Sequence, residues 1–287
     1  MHPKLLSDRQ RGFTLVESVM VIVITGILGA IVSIFIVAPV QAYLATAARA
    51  NLVDQADTAL RRVSRDLAIA LPNSTRVNAS GRSLELIPTT GAARYATEGA
   101  GKLDFGVDAT ADTSFDLVGP PLTLGVAQQL VFYNLGPDVP DANAYAANGS
   151  AAEQQNSNRR SAGNGAGAAS TITLNSAANL PAGSQAPPYR VYAVAAPVSY
   201  RCDLTPGVQT LTRYQGYGFQ AVQPDPPVGG SSSILAKGVT DCKFSYSGEP
   251  VAARAAVVTL RLTLGTNTGT GDETVSLYHA VHVDNLP

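Results

Sequence analysis

The fold of this chain is decided by residues 11–38, which read RGFTLVESVMVIVITGILGAIVSIFIVA. After the first residue, the only charged side chain in this stretch is Glu17. Residues 18–38 in an α-helix would span about 32 Å, close to the thickness of a bilayer's hydrocarbon core. Secretory signals have shorter apolar cores, so we expect a transmembrane helix over residues 13–40 rather than a cleaved signal peptide.

A short polar segment precedes the apolar stretch. Its basic residues outnumber its single acid: Lys4, Arg9 and Arg11 stand against Asp8. Because positively charged flanks of membrane helices remain in the cytoplasm, we expect residues 1–12 to be cytoplasmic. The part of the chain that follows the helix is then expected to lie outside the cytoplasm.

Glu17 is costly in this position because a carboxylate is poorly solvated among apolar side chains. Insertion scales assign about 2.5–3.5 kcal/mol to an acidic residue at the centre of a membrane helix, and less near its end. An acid in such a place indicates a function and calls for a cationic partner. A cut between Gly12 and Phe13 would create an α-ammonium group four residues from Glu17. That group, in the same chain or a neighbouring one, is the partner we expect.

The segment from Arg11 to Glu17, followed by a long apolar helix, resembles the class III signal of type IV pilins and pseudopilins. The resemblance implies that a membrane prepilin peptidase cuts after Gly12 and that Phe13 is then N-methylated. It also implies that Glu17 compensates the amino terminus of an adjacent pilin or pseudopilin subunit during assembly at an inner-membrane platform protein. The implied fold is α+β, with a long N-terminal helix packed on an antiparallel β-rich head.

The helical period continues beyond the apolar stretch. Pro39 is a place where the helix can kink. We expect an amphipathic stem over residues 41–71 that ends before Pro72, because proline disfavours helical geometry in the residue before it. Opposite charges four residues apart are expected on the exposed surface of the stem; the pairs are Asp57 with Arg61 and Arg62 with Asp66. One apolar stripe at spacings of three or four consists of Leu52, Ala56, Leu60, Val63, Leu67 and Leu71.

From residue 72 onward the apolar period is two, which predicts a β-rich head over residues 72–287. The best-supported hairpin pairs residues 257–264 with residues 275–283. Residues 138–170 are rich in Ala, Asn, Gly and Ser and have no apolar period, so we expect a mobile surface loop or disordered insertion there. The other predicted strands cover residues 82–87, 130–134, 189–195, 198–202 and 242–246.

Two cysteines, Cys202 and Cys242, each fall on the apolar face of a predicted strand. A head outside the cytoplasm lies in an oxidising compartment, where paired cysteines form disulfides. We therefore expect a Cys202–Cys242 bridge rather than two free buried thiols.

The sequence offers no set of residues typical of catalysis, so we expect no enzyme and no cofactor. His279 and His282 are three positions apart in a predicted strand and cannot share a metal, because they point to opposite faces. We expect His279 to be half-buried. Four acids recur without the spacing of a calcium loop and are expected to serve turns; they are Asp104, Asp108, Asp112 and Asp116. The net charge of −1 argues against a nucleic-acid partner.

The leading hypothesis is a minor type IV pilin-like subunit of the inner membrane, with its head in the periplasm, that joins a pilus or its initiating or tip complex. Residues 198–203, 213–218 and 278–285 resemble the MshO-type biogenesis proteins of mannose-sensitive haemagglutinin pili. The nearest alternative is a J-type minor pseudopilin of type II secretion. A pilin-borne adhesin, whose head binds a sugar or a protein, is a third hypothesis.

Overall fold

In the computed structural model, the structure describes residues 12–106, 112–175, 180–247, 255–267 and 271–287. The leader predicted over residues 1–12 therefore lies outside the described residues except for Gly12. Asp108, one of the four recurring acids, also lies outside them. The chain divides into two compact units, one of Met1–Ala50 with Asn267–Glu273 and one of Asn51–Thr266 with Thr274–Pro287.

The long helix α1 covers Leu15–Ala68 and contains Pro39. Every residue from Gly12 to Leu44 is exposed, and the most apolar part of the helix is long and apolar enough to cross a membrane. The helix ends three residues before the predicted end at Leu71. The reason is tertiary: the backbone amide of Leu71 donates to the carbonyl of Ile87 at 2.7 Å, which takes this part of the chain into strand pairing.

The C-terminal part of α1 packs on β-sheets within the second unit. Its buried side chains follow the predicted apolar stripe and join a core made with strands from two sheets. Burying such a stripe supplies most of the stability of an amphipathic helix, because isolated helices are marginal in water. The helical core residues are Leu52, Ala56, Ala59, Leu60, Val63 and Leu67.

The head is β-rich, and the strand pairs with a defined register are antiparallel. This confirms the expected α+β architecture. In chain order, the strands are Arg76–Val77 (β1), Ser83–Leu86 (β2), Thr89–Tyr95 (β3), Ser114–Val118 (β4), Leu122–Leu124 (β5), Gln129–Phe132 (β6), Arg159–Ser161 (β7), Gly167–Ala169 (β8), Thr171–Thr173 (β9), Arg190–Val194 (β10), Val198–Asp203 (β11), Thr210–Gln215 (β12), Ser231–Lys237 (β13), Val239–Ser247 (β14), Ala255–Asn267 (β15) and Asp272–Asp284 (β16). A short helix α2 covers Ala151–Gln155, and a 3₁₀ turn covers Ala182–Ser184.

The strands of the described residues form four sheets. A five-stranded sheet has the order β1-β2-β11-β12-β13, and a six-stranded sheet has the order β7-β6-β10-β3-β4-β9. A three-stranded sheet has the order β14-β15-β16, and β5 pairs with β8. Cys202 on β11 and Cys242 on β14 form a disulfide, which confirms the predicted bridge and joins the five-stranded sheet to the three-stranded one.

The final two strands contain the hairpin predicted from the alternating pattern. The even-numbered apolar residues of β15, from Val258 to Leu264, are buried as expected. The prediction that His279 is half-buried is wrong, because its side chain is exposed. The reason is that β16 is an edge strand, so its middle is less covered than the middle of β15.

Residues 138–170 differ most from the expectation. We expected a mobile surface loop or a disordered insertion, whereas the structure places α2, β7 and β8 in this segment and buries Tyr145. Arg159 orders it by donating from Nε to the carbonyl of Ala144 at 2.9 Å and from Nη2 to the carbonyl of Ala146 at 3.0 Å. Guanidinium donors can satisfy buried backbone carbonyls without an apolar period, so the composition rule does not detect such packing.

Candidate functional site

The predicted processing junction lies just before the first turn of α1. Gly12 is exposed, and apart from its chain neighbours no described residue lies within 4 Å of where a Cβ would be. Phe13 is 77% exposed. The peptide bond between these two residues therefore lies in an accessible segment ahead of the helix.

Thr14 caps the helix. Its side-chain oxygen accepts a hydrogen bond from the backbone amide of Glu17 at 3.3 Å, and its carbonyl accepts from the amide of Ser18 at 3.1 Å. The cap satisfies one of the amides that have no partner within a helix. Thr14 was missed in the sequence reasoning, although a threonine followed three positions later by a glutamate is a signal for a helix start.

Glu17 lies in the first turn of α1, and its side chain is exposed. The amino-terminal end of a helix carries a partial positive charge of about half an elementary charge, which stabilises a nearby carboxylate. The position therefore suits an acid locally, while its carboxylate remains accessible to a second cation. This is the arrangement that a charge-pairing role requires.

From the second turn of α1 to Leu44, the helix presents exposed apolar side chains on every side. Soluble proteins do not expose a surface of this extent, so it indicates a membrane or protein partner. Among its bulkiest exposed side chains are Ile22, Ile34 and Phe35, each more than two thirds exposed.

Asp66, near the C-terminal end of α1, forms a buried polar centre with residues of the head. Tyr200 donates from its hydroxyl to Asp66 Oδ2 at 2.7 Å, and Arg213 Nη2 lies 2.8 Å from the same oxygen. Arg62 is 3.5 Å from the other oxygen. Asp66 is buried, so the prediction that the Arg62–Asp66 pair is a surface pair is wrong for the acid. These contacts attach the end of α1 to β11 and β12.

Glu85 on β2 forms another buried polar centre. It is fully buried, and its Oε2 lies 2.5 Å from Arg76 Nε. Tyr217 donates from its hydroxyl to Glu85 Oε1 at 2.8 Å. Burial raises the pKa of Glu85 above its usual value, and the charge and hydrogen bond of Arg76 oppose that rise. Arg76 also donates to the carbonyls of Gln220 and Ala221, so the ion pair holds that loop on the sheet.

The recurring acids that the structure describes serve local polar contacts. Asp112 accepts from the backbone amide of Asp104 at 2.6 Å, and Asp116 accepts from the hydroxyl of Thr171 at 2.6 Å. Lys102 lies 2.9 Å from Asp104. In the described part of the chain, no group of three or more His, Cys, Asp or Glu side chains is placed to hold a metal ion.

The comparisons with known proteins address the amino-terminal site. The prokaryotic N-terminal methylation motif matches residues 7–33, which include the predicted processing junction and Glu17. No curated protein and no solved structure matches the chain. The amino terminus is therefore type IV prepilin-like.

Proposed function

We propose that this protein is a minor type IV pilin-like structural subunit. Prepilin peptidase removes residues 1–12, Phe13 becomes the N-methylated first residue, and the apolar helix anchors the subunit in the inner membrane. The subunit then joins other pilin subunits at the assembly platform, in a pilus or its initiating or tip complex. The observation that carries this proposal is the methylation motif on an exposed apolar helix with one acid in its first turn.

The charge arrangement explains why Glu17 is needed. Cleavage places a new α-ammonium group beside a helix end that already carries partial positive charge. In apolar surroundings that ammonium is costly unless a carboxylate neutralises it. Glu17 of an adjacent subunit can supply this carboxylate, so that two charges are compensated only when subunits are in register.

The disulfide supports a periplasmic head. Bridges of this kind persist in oxidising compartments such as the bacterial periplasm and are rare in the cytosol. Cys202 and Cys242 are both buried in the core that packs on α1. A bridge between two sheets suits a head that leaves the membrane and joins an extracellular fibre.

Within this function we propose the mannose-sensitive haemagglutinin pilus as the system. The three segments that resemble its MshO-type proteins include β11, part of β12 and part of β16. Purification of the assembled fibre from the native host tests this choice. Recovery of the chain with secretion pseudopilins, rather than with pilus subunits, would favour the J-type pseudopilin instead.

Processing is tested by the intact mass and first residue of the mature protein. We expect the mature chain to begin at Phe13 and to carry one added methyl group. The Gly12→Glu variant should keep residues 1–12, because the peptidase then meets a bulky acid in place of glycine. A mature chain that begins at Met1, or that begins beyond the apolar stretch, contradicts the proposal.

Assembly is tested by Glu17→Val. We expect membrane insertion to be unchanged or improved, because an acid is removed from an apolar segment. Incorporation into the fibre should fall by roughly tenfold or more. The reason is that the lost ion pair is expected to contribute more than ~1.4 kcal/mol, and this free energy changes the equilibrium constant for subunit association tenfold. The measurement is the amount of the variant in fractionated membranes and in sheared fibres.

The matched control is Glu98→Val, which removes an exposed acid from the head. It should incorporate like the unmodified chain. Equal incorporation of Glu17→Val and Glu98→Val would remove the role given to Glu17.

A further inference from the structure

A cavity of about 300 Å³ lies in the head beside β7, which is an edge strand of the six-stranded sheet. All of β7 lines it, together with Gln129 of the paired strand β6. Asn148, which precedes α2, and Asn175, which lies after β9, also line it. Ligand pockets usually measure about 300–1,000 Å³, so this cavity suits a small ligand.

The walls of this cavity are rich in hydrogen-bond donors. The described side chains that line it include the guanidinium groups of Arg159 and Arg160 and no carboxylate. Glu153 on α2 does not line the cavity, and its carboxylate accepts a hydrogen bond from the backbone amide of Ser150 at 2.8 Å. A cavity with cationic donors and no acid in its walls favours an anion.

Arg159 carries a buried charge that lacks a counter-charge in the described part of the chain. The residue is 5% exposed, and no described carboxylate forms an ion pair with it. Burial lowers the pKa of Arg159 to about 10, and the neighbouring charge of Arg160 adds to this effect. The guanidinium is therefore still protonated at neutral pH, although a buried charge is costly without an opposite one. A bound anion would supply that opposite charge.

The guanidinium of Arg159 also keeps donors for such an anion. Its Nε donates to the carbonyl of Ala144 at 2.9 Å, its Nη1 to Gln129 Oε1 at 3.1 Å, and its Nη2 to the carbonyl of Ala146 at 3.0 Å. Because a guanidinium has five N–H bonds, these contacts leave one N–H on each terminal nitrogen. Gln129 donates in turn to Ser161 Oγ at 2.7 Å, and both side chains are partly exposed. Since Gln129, Ser161 and Arg159 all line the cavity, the Nη1 end of the guanidinium lies at its wall.

Further donors come from three parts of the fold. Ser161 Oγ acts as an acceptor in the structure and keeps its hydrogen to donate. The amide nitrogens of Asn148 and Asn175 donate to the carbonyls of Arg159 and Ala162, and each retains a second N–H. A phosphate group presents three acceptor oxygens in different directions, whereas a carboxylate accepts in one plane. Donors that converge from β7, from the segment before α2 and from the segment after β9 therefore favour phosphate.

We propose that this cavity binds the phosphate group of a small molecule. The guanidinium of Arg159 supplies the charge, and the side chains of Ser161, Asn148 and Asn175 donate hydrogen bonds. Inorganic phosphate and a phosphate monoester share this chemistry, and a monoester would place its organic part in the rest of the cavity. Such a ligand goes beyond the structural role proposed above, because it gives the head a binding activity of its own.

The test uses the full-length chain in lauryldimethylamine oxide and a buffer free of phosphate. Inorganic phosphate, glycerol 3-phosphate and acetate are titrated separately at constant ionic strength and followed by isothermal titration calorimetry. We expect saturable binding of at least one of the two phosphate compounds, and a higher unfolding temperature in its presence, because a ligand stabilises the state that it binds. Tighter binding of glycerol 3-phosphate identifies a monoester as the ligand, and tighter binding of inorganic phosphate identifies the free ion.

The variant Gln129→Glu places a carboxylate beside Arg159 Nη1 with little change of shape. It should weaken phosphate binding by roughly tenfold or more, because an internal ion pair replaces the charge of the ligand. It should also raise the unfolding temperature in phosphate-free buffer, since the buried guanidinium gains a partner. The matched control is Gln155→Glu, which makes the same change at an exposed side chain outside the cavity. It should bind phosphate like the unmodified chain.

The variant Asn175→Asp adds a carboxylate to the wall at an exposed side chain. It should also weaken phosphate binding, and it decides the matter if Gln129→Glu fails to fold.

Two results overturn the proposal. One is that neither phosphate compound binds with saturation, or that acetate binds as tightly as they do. The other is that the folded variants among Gln129→Glu and Asn175→Asp bind phosphate as tightly as the unmodified chain. Because neither variant alters residues 12–17, processing and fibre assembly are read out independently of this result.

Discussion

Replacing Arg76 with alanine is expected to lower the free energy of unfolding of the head by about 3–5 kcal/mol at neutral pH, the range seen when one partner of a buried ion pair is removed. The large effect comes from Glu85, which is fully buried and would be left without its cation. Arg76 also donates to two loop carbonyls, and its guanidinium lies 3.8 Å from the centre of the Tyr145 ring. These contacts are lost with the same substitution.

The pH dependence identifies the cause. Burial raises the pKa of Glu85 in the folded protein, so the folded state holds this proton more tightly than the unfolded state does. The associated stability is fully present below the usual pKa of a glutamate and is lost as the pH rises through the folded-state pKa. Removing Arg76 raises that pKa further. The destabilisation of Arg76→Ala should therefore be largest at neutral pH and should decrease toward acidic pH.

The measurement is the denaturant midpoint of the full-length chain in detergent, followed by near-ultraviolet circular dichroism of the tyrosines at neutral and acidic pH. The control is the double variant Arg76→Ala with Glu85→Gln, which removes both charges. It should recover much of the lost stability at neutral pH, because no buried charge is left unpaired. Equal destabilisation by the single and double variants at both pH values would show that lost packing, rather than the unpaired carboxylate, causes the effect.

Removal of the disulfide is expected to produce the second large effect. The double variant Cys202→Ala with Cys242→Ala should lose about 4 kcal/mol of unfolding free energy according to the loop-entropy relation for this separation. The two cysteines are 40 positions apart, and their Cα atoms are 6.3 Å apart, within the range that a bridge allows. Alanine is the suitable replacement, because both sites are buried and serine would add an unpaired hydroxyl.

Reduction provides an independent measurement of the same quantity. The unmodified chain treated with a phosphine reductant should unfold at nearly the same denaturant concentration as the double alanine variant. Without reductant, neither thiol should react with an alkylating reagent in the intact-mass spectrum. Free alkylation of both cysteines before reduction, or an unchanged midpoint after it, would argue against a structural bridge.

The polar centres of the head explain why sequence reasoning reached the architecture but missed key residues. Asp66 was expected on the surface because its neighbour Arg62 is one helical turn away. Its closest partners are instead Tyr200 and Arg213, which are 134 and 147 positions away. A local charge pattern cannot identify such partners, because they meet only when β11 and β12 pack on the helix.

The amino-acid sequence alone determined the amino-terminal site, the apolar helix, the β-rich head and the pairing of the cysteines. The helix and the strands follow from the spacing of apolar residues along single elements. The cysteine pair was predicted from its place on two apolar strand faces and from the oxidising compartment expected for the head. Tertiary structure decided the burial of Asp66 and Glu85 and the ordering of residues 138–170. Each of these depends on segments far apart in the chain, whose side chains lose water and gain partners only when the sheets assemble.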